Sequence, residues 1–265
     1  MNVLESFRLD GRSALVTGAG SGLGRAFSEA LAEAGAAVAC VDLDLTAAEE
    51  TASSLREAGG QAVAMDADVA DEEDVRGAFE RAEHDLGPLT VAFANAGIAG
   101  ESGRLADLTL EGWNGVVAVN LTGVYLTVRE AARRMEPRGY GKIISTASIY
   151  GFVGDALVGS FGYTAAKGAV VNLTRTAALQ LAPSGIRVNA IAPAFIRTNI
   201  GGGLLREEVE DPEVKALQAE IVRRTPLGRF GVPDDLKGMA VFLASPASDY
   251  CTGATYPVDG GWLAQ

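Results

Sequence analysis

The residues that build metal and redox centres are scarce in this chain, with two cysteines and one histidine among 265 residues. Cys40 lies in an apolar run and Cys251 far from it in sequence, so neither a structural disulfide nor a cysteine metal pair is expected. His84 sits in an acidic helical stretch and reads as a surface residue. Without a second histidine or a Cys-x-x-Cys, a zinc site has no support. Basic residues are also outnumbered, 22 Lys and Arg against 34 Asp and Glu, for a formal charge of -12. A surface of that sign does not neutralise phosphates, so no nucleic-acid partner is expected. Nor does any run approach the ~18 apolar residues of a membrane span. The stretch from Met1 to Asp10 lacks the basic start and apolar core of an export signal, so no membrane association is expected and the cytoplasm is the expected compartment. Asn120-Leu-Thr122 and Asn172-Leu-Thr174 match the glycosylation pattern but fall in predicted helices and are set aside.

What the chain does have is apolar content, 48% hydrophobic against 21% charged, enough for one domain over residues 1–265. Apolar runs alternate with amphipathic stretches. Strands are predicted at Ser13 to Thr17, Ala37 to Asp42, Ala62 to Asp66, Leu89 to Asn95, Lys142 to Ala147, Arg187 to Ala192 and Ala254 to Pro257. Helices are predicted at Leu23 to Ala34, Thr46 to Ala58, Glu72 to Asp85, Leu108 to Met135, Tyr163 to Ala182 and Pro233 to Ala244. Thr46 and Asp71 read as N-caps, and Gly35, Gly59 and Gly87 as stops. This order predicts an α/β fold of the Rossmann type, a doubly wound parallel sheet of about seven strands with helices on both faces. Residues 195–225 break the alternation with Gly201-Gly-Gly203 and a charged stretch through Glu207, Glu208 and Glu210. A glycine-hinged lid over a substrate is expected there.

Two local patterns carry chemistry. The first strand runs into Gly18-Ala-Gly20-Ser-Gly22-Leu-Gly24 and then a helix, a turn in which backbone approaches a pyrophosphate bound by the first helical N–H groups. Leu23 occupies the sixth position of G-x-G-x-x-G, and no Lys-Ser/Thr follows, so neither that pattern nor a P-loop is met. The second pattern is Tyr163-Thr-Ala-Ala-Lys167 in a predicted helix, with Ser148 upstream. Residues four apart share a helix face, so the ammonium is expected to draw the phenol below its usual pKa of ~10 and make it a general acid/base.

Thr17-Gly18-x-x-x-Gly22-x-Gly24, Asn95-Ala-Gly97, Asn120, Ser148, Tyr163 and Lys167, in this order, closely resemble the short-chain dehydrogenases/reductases, from about Leu9 to Trp262. The resemblance implies catalytic Asn120, Ser148, Tyr163 and Lys167, with Asn120 linking the lysine to solvent through a water. Ser148 is favoured over Ser145 because it precedes Ile-Tyr-Gly151 as the family's serine precedes its glycine turn. Tyr150 is set aside as the acid because no lysine follows it at helical spacing. The cofactor-binding set comprises Gly18, Ser21, Gly22, Leu23 and Gly24 in the first turn, Asp42 and Leu43 after strand two, and Asp68 and Val69 after strand three. Asn95, Ala96 and Gly97 follow strand four, and Tyr163, Lys167, Pro193, Ala194, Ile196 and Thr198 complete it. Pro193-Ala194 departs from the family's Pro-Gly. Thr17 is expected to join strands one and four, and Asn189 to be structural.

At the end of strand two, Asp42 is placed to accept from the adenosine ribose and repel a 2′-phosphate. Ser21 and Leu43 stand where NADP-preferring relatives often carry a basic residue. NAD is therefore the expected cofactor, with Arg25 able to reach an anionic group. The expected activity is hydride transfer between NAD(H) and a secondary alcohol or ketone, and the substrate a small alcohol, polyol or sugar-like molecule. Phe152, Leu157, Phe161 and Phe195 suggest an apolar wall, whereas Asp155, Arg206 and Arg223 suggest a polar ligand. The alternatives are a 3-oxoacyl thioester reductase, which the acidic charge disfavours against an acidic carrier protein, and a non-catalytic NAD-binding regulator. Apolar residues around the two longest helices predict a homo-oligomer, with the tetramer common among relatives favoured.

Overall fold

A computed structural model of the chain describes residues 2–200, 204–205 and 209–265. Seven parallel strands form one sheet in the order β3-β2-β1-β4-β5-β6-β7. They are β1 Ser13–Thr17, β2 Ala37–Asp42, β3 Ala62–Asp66, β4 Leu89–Ala94, β5 Gly141–Thr146, β6 Ile186–Pro193 and β7 Thr255–Val258. The strands read as continuous apolar runs because alternate side chains enter two different cores. Leu15, Ala39, Val41 and Ile143 pack on one face; Ala14, Val16, Val38, Cys40 and Ile144 pack on the other. The first face is covered by α3 Glu72–Leu86, α5 Val124–Met135 and α6 Phe161–Leu181, and the second by α1 Gly22–Glu33, α2 Leu45–Glu57 and α8 Asp234–Ala244. Phe27 of α1 meets Phe93 of β4 with ring centroids 5.2 Å apart. No described helix is long and apolar enough to cross a membrane.

Predicted and observed elements agree to within a residue or two except at three places. The α2 cap is Asp44 rather than Thr46: its carboxylate accepts from Thr46 N at 2.9 Å and Ala47 N at 3.3 Å. The helix expected over Leu108 to Met135 begins at Leu110 and is interrupted, since α4 Leu110–Val117 and α5 are separated by a π-helical turn at Ala118–Gly123. That turn is built around Asn120, drawn inward by two backbone contacts, and Gly123, where a Cβ would stand 2.7 Å from Val69 Cγ2. The third difference is α7 Pro212–Arg224, within a segment read only as a charged lid. Its start is specified locally, by the Asp211 carboxylate accepting from Glu213 N at 2.8 Å and by Pro212 in the first turn. Gly201 to Gly203, Arg206, Glu207 and Glu208, invoked for the hinge, the lid and a polar subsite, lie outside the described residues.

Candidate active site

The reversal of strand order falls between β1 and β4, each of which starts a run toward one edge of the sheet, and in such sheets the crevice beyond the carboxyl ends of these strands receives ligands. At its floor the Thr17 hydroxyl donates to Phe93 O at 3.2 Å and accepts from Asn95 N at 3.0 Å and Ala96 N at 3.2 Å. This is the bridge between strands one and four expected from the sequence. Asn95 extends it: its amide donates to Thr17 O at 2.9 Å, and its oxygen accepts from the Thr146 hydroxyl at 3.0 Å. The Asn95 side chain is therefore committed to joining three strand ends, and what this turn can offer a ligand is the backbone of Ala96 and Gly97.

The glycine turn is shaped by close approaches. A Cβ at Gly24 would stand 1.9 Å from Gly18 O, so only glycine lets α1 begin against the turn. Gly22 adopts φ +52°, and a Cβ there would lie 3.3 Å from Thr198, which brings the loop after β6 to face the turn across the crevice. Ser21 precedes α1 without a side-chain capping bond, and Leu23 packs its side chain toward the core. This cradle of free helix N-terminus and close backbone fits a pyrophosphate. Asp42 Oδ2 accepts from Gly20 N at 2.8 Å and its Oδ1 from Asp44 N at 3.1 Å, which fastens the turn to the end of β2 and leaves a carboxylate there. Leu43 beside it is exposed, and Arg25 is paired with Glu29 at 3.1 Å.

Asp68 is occupied in part, its Oδ1 accepting from Ala70 N at 2.9 Å, and Val69 is buried. Ala194 N donates to Val258 O at 3.3 Å, and no described residue other than glycine has positive φ. Alanine is thus accommodated where the family has glycine. Ile196 turns its side chain into the core and bridges to Gly231, so it presents backbone to the crevice. Asn189 is structural, donating to Cys251 O at 2.8 Å and accepting from Ala254 N at 3.1 Å. Both cysteines are free, and burial pushes the Cys40 thiol up to about 11. His84 is exposed, with Nδ1 2.7 Å from Asp85 Oδ1.

Ser148, Tyr163 and Lys167 converge beside this cradle. Ser148 follows β5 and opens the turn Ile149–Gly151, its hydroxyl accepting from Tyr150 N at 3.2 Å. On α6, the Lys167 ammonium is 2% exposed, donates to Thr146 O at 2.6 Å and lies 5.5 Å from the Tyr163 ring centroid. A Cβ at Gly97 would stand 3.7 Å from that ammonium and 3.4 Å from Asn120 Oδ1. The electrostatics differ from expectation. Burial pushes the Tyr163 phenol up, and the group that draws it back is the Ser148 hydroxyl, not Lys167. Burial also brings Lys167 down to about 8. Helical spacing sets the ammonium against the ring, bonded to the end of β5, rather than at the phenol oxygen. Asn120 is fully buried, and its side chain is spent on the loop after β4, accepting from Ile98 N and donating to Ile98 O, each at 2.8 Å.

Two of the polar residues expected on the substrate side, Asp155 and Arg223, are otherwise engaged. Asp155 accepts from Leu157 N, Val158 N and Ser160 N, each at 3.0 Å, and so folds its own loop. Arg223 is paired with Glu220 on the exposed side of α7 at 2.7 Å. Phe195 and Leu157 pack into one small cluster with Trp262, the Phe195 ring lying 4.8 Å from Trp262 and 6.0 Å from Tyr150; Phe152 and Phe161 are exposed. Sequence reasoning missed Trp262 and Thr146 and had set Tyr150 aside. Thr146 could have been found from its place at the end of β5, two residues before Ser148; nothing local marks Trp262.

A family model described as Enoyl-(Acyl carrier protein) reductase matches residues 18–263. The chain is 42% identical over 253 residues to cis-4-hydroxycyclohexanecarboxylate dehydrogenase of Sinomonas cyclohexanicum, covering 96% of this chain and 97% of that protein. It is 37% identical over 265 residues to cyclohexanol dehydrogenase of Acinetobacter sp. (strain SE19), covering 100% of each. Among solved structures, a gluconate 5-dehydrogenase from Burkholderia cenocepacia J2315 in complex with NADP and tartrate superposes with a TM-score of 0.91 at 37% identity, over 100% of both chains.

A lysine brought down to about 8 in the folded protein and normal when unfolded makes stability depend on pH. Between those values the unfolded chain binds more protons, so stability rises with pH. The cost of the buried ammonium is full below about pH 8 and gone above the ordinary lysine value of ~10.4. Cofactor-free Lys167→Met is accordingly expected to melt higher than wild type below pH 8, with the difference shrinking as pH rises through that window. Melting curves across pH check this, and a constant difference would contradict it.

Proposed function

The chain belongs to the short-chain dehydrogenase/reductase family, and on that premise we propose that it interconverts a secondary alcohol and its ketone with NAD(H), acting on a small alcohol, polyol or sugar-like substrate. The observation that carries the reading is the meeting of Ser148, Tyr163 and Lys167 beside the glycine cradle. When bound, the nicotinamide dinucleotide supplies the hydride acceptor or donor. In this reading the Ser148 hydroxyl holds the reacting oxygen, and the Tyr163 phenol removes its proton in oxidation or returns it in reduction. Lys167 places positive charge under the phenol, and Asn120 fixes the Ile98 loop beside the lysine and supports its path to solvent. A phenol pushed up by burial is protonated at neutral pH and ready to donate, which suits reduction; the reverse direction gains from alkaline pH.

Gly18, Ser21, Gly22, Leu23 and Gly24 would hold the pyrophosphate, with Thr198 opposite. Asp42 and Leu43 would meet the adenosine ribose, and Asp68 and Val69 the adenine. The backbone of Asn95, Ala96 and Gly97 would pass the adjoining nucleotide, Tyr163 and Lys167 would meet the nicotinamide ribose, and Pro193, Ala194 and Ile196 would flank the nicotinamide. The choice of NAD rests on the Asp42 carboxylate, although the Burkholderia relative is in complex with NADP. In the same reading, residues 195–225 cover the substrate and the protein is cytoplasmic. It also self-associates, as a tetramer, through helices that expose Leu110 and Trp113 on α4 and Phe161 and Leu179 on α6.

Turnover on a panel of cyclic alcohols, polyols and hydroxy acids tests the activity. Tyr163→Phe is expected to lower kcat by about 10²–10⁴ while leaving the NADH dissociation constant within about twofold; an unchanged rate would remove the mechanism. In fluorescence titrations NADH is expected to bind at least about tenfold more tightly than NADPH, and Asp42→Asn to narrow that gap. Tighter NADPH binding by wild type would overturn the cofactor assignment. Light scattering is expected to give four times the chain mass, and a monomer at micromolar concentration would count against self-association.

A further inference from the structure

At the amino ends of the strands, the edge of the sheet opposite the crevice, stands a group of charged side chains for which the proposed reaction has no task. Lys142 on β5 and Arg187 on β6 are register partners. Arg12 comes just before β1, where its carbonyl accepts from Ala37 N at 2.9 Å. Lys142 lies two residues before Ile144 and Arg12 two before Ala14, so strand alternation brings all three cations to the face that α8 covers. The turn after α8 closes over two of them. Lys142, 1% exposed, donates to the Ser248 hydroxyl at 3.0 Å and pairs with Asp249 Oδ1 at 2.8 Å. Arg187 Nε donates to Asp249 O at 2.6 Å and its Nη1 to Ile186 O at 3.4 Å. Arg12 has no carboxylate: its guanidinium lies over the Tyr140 ring, 4.6 Å from the centroid, and makes no ion pair among the described residues.

Folding accounts for part of this cluster, since Lys142 and Arg187 fasten the turn after α8 to the sheet. It does not account for the charge. Among the described residues Asp249 is the one carboxylate set against the three cations, in a chain whose acids outnumber its bases 34 to 22. Burial pushes the Lys142 ammonium down, Asp249 opposes this, and Arg187 and Arg12 push it down further. Arg12, Asp249 and Arg187 also act on the Tyr140 phenol, which burial pushes up. The four charges thus form one cluster with an excess of positive charge. Arg12 and Arg187 are half-buried, and Asp249 and Tyr250 beside them are exposed, so the excess is open to solvent. Guanidinium groups offer paired N–H donors to an oxyanion, and partial burial strengthens the attraction.

We propose that Arg12 and Arg187, with the Lys142 ammonium beneath them, form a binding site for a small oxyanion of the phosphate class at the amino edge of the sheet. Once Asp249 is set against one cation, two positive charges are left, which matches a dianion. The anion would accept from the Arg12 guanidinium and from Arg187 Nη2, and so tie the starts of β1 and β6 to the turn after α8. It acts there as a stabilising ligand and takes no part in hydride transfer.

The test uses wild type, Arg12→Gln and Arg187→Gln, each saturated with NADH so that the glycine cradle is filled. Melting temperature is followed at slightly alkaline pH in sodium phosphate, with sodium chloride at matched ionic strength as the control, and binding is read from the line width of the phosphate ³¹P resonance. At about ten times its dissociation constant, phosphate is expected to raise the wild-type melting temperature by about 3 °C beyond the control. Arg12→Gln and Arg187→Gln are each expected to weaken phosphate binding about tenfold and to lose most of that gain. The quantity compared is the gain with phosphate, so a variant that is less stable in chloride remains informative. A wild type that responds alike to phosphate and chloride, or a gain and line broadening that survive in both variants, would overturn the site.

Discussion

The site depends on a chain of hydrogen bonds that ties three strand ends together and reaches the buried lysine. Thr17 holds the start of the Asn95 turn, Asn95 holds Thr17 O and the Thr146 hydroxyl, and Thr146 O receives the Lys167 ammonium. Each member is short and polar at the edge of a sheet whose interior is apolar, so each must find a partner among the others. The consequence is mechanical: the glycine turn after β1 and the ammonium on α6, distant in sequence, are joined through two side chains and one carbonyl. A shift at either end would leave a buried donor or acceptor unpaired.

That rigidity explains the electrostatics. A helix can place an ammonium and a phenol four residues apart, but Thr146 O decides where the ammonium points, and it points to the sheet edge. The lysine is deep enough that burial brings it to about 8, and the phenol deep enough that burial raises it, with only Ser148 opposing. Burial thus works against charge on both side chains. In the proposed reaction the serine hydroxyl would hold the reacting oxygen, and it is also the group that draws the phenol back against burial. The first requirement names the residue type; the second explains why it must sit beside this tyrosine and not at Ser145, whose buried hydroxyl finds no partner.

The sheet was legible because its information is local. A parallel strand buried on both faces is an apolar run, a helix start is an aspartate before an acidic turn, and the glycine turn is a backbone necessity. The residues that meet in the crevice could be ordered from sequence too, since in a doubly wound sheet every β-to-α loop opens at the same edge. What could not be read was partnership. The Asn95 side chain is used on Thr17 O and the Thr146 hydroxyl, that of Asn120 on the Ile98 backbone, and that of Asp155 on its own loop. The π-turn at Ala118–Gly123 was hidden for the same reason: its Asn120 is bonded to Ile98 and its Gly123 lies against Val69, both from other parts of the chain. The start of α7 was missed although a local signal existed, in Asp211-Pro212-Glu213.

The two sides of the crevice differ in how they are built. The cofactor side stands on the two large cores beneath the sheet, and its turns are fixed by glycines with no room for a Cβ. The side proposed to receive the substrate rests on a separate small cluster in which Leu205, Ile221 and Phe230 are buried and Phe195, Leu157 and Trp262 pack against them. A change in the first would disturb the sheet and the lysine together; a change in the second meets few buried neighbours and propagates less. Side chains facing a substrate can therefore vary while the fold and the proton-handling groups stay put. Two proteins 42% and 37% identical to this chain over nearly their whole length bear the names of dehydrogenases for a hydroxycyclohexanecarboxylate and for cyclohexanol. Tyr150, with one edge on Tyr163 and the other on Phe195, is the ring at which the two sides meet.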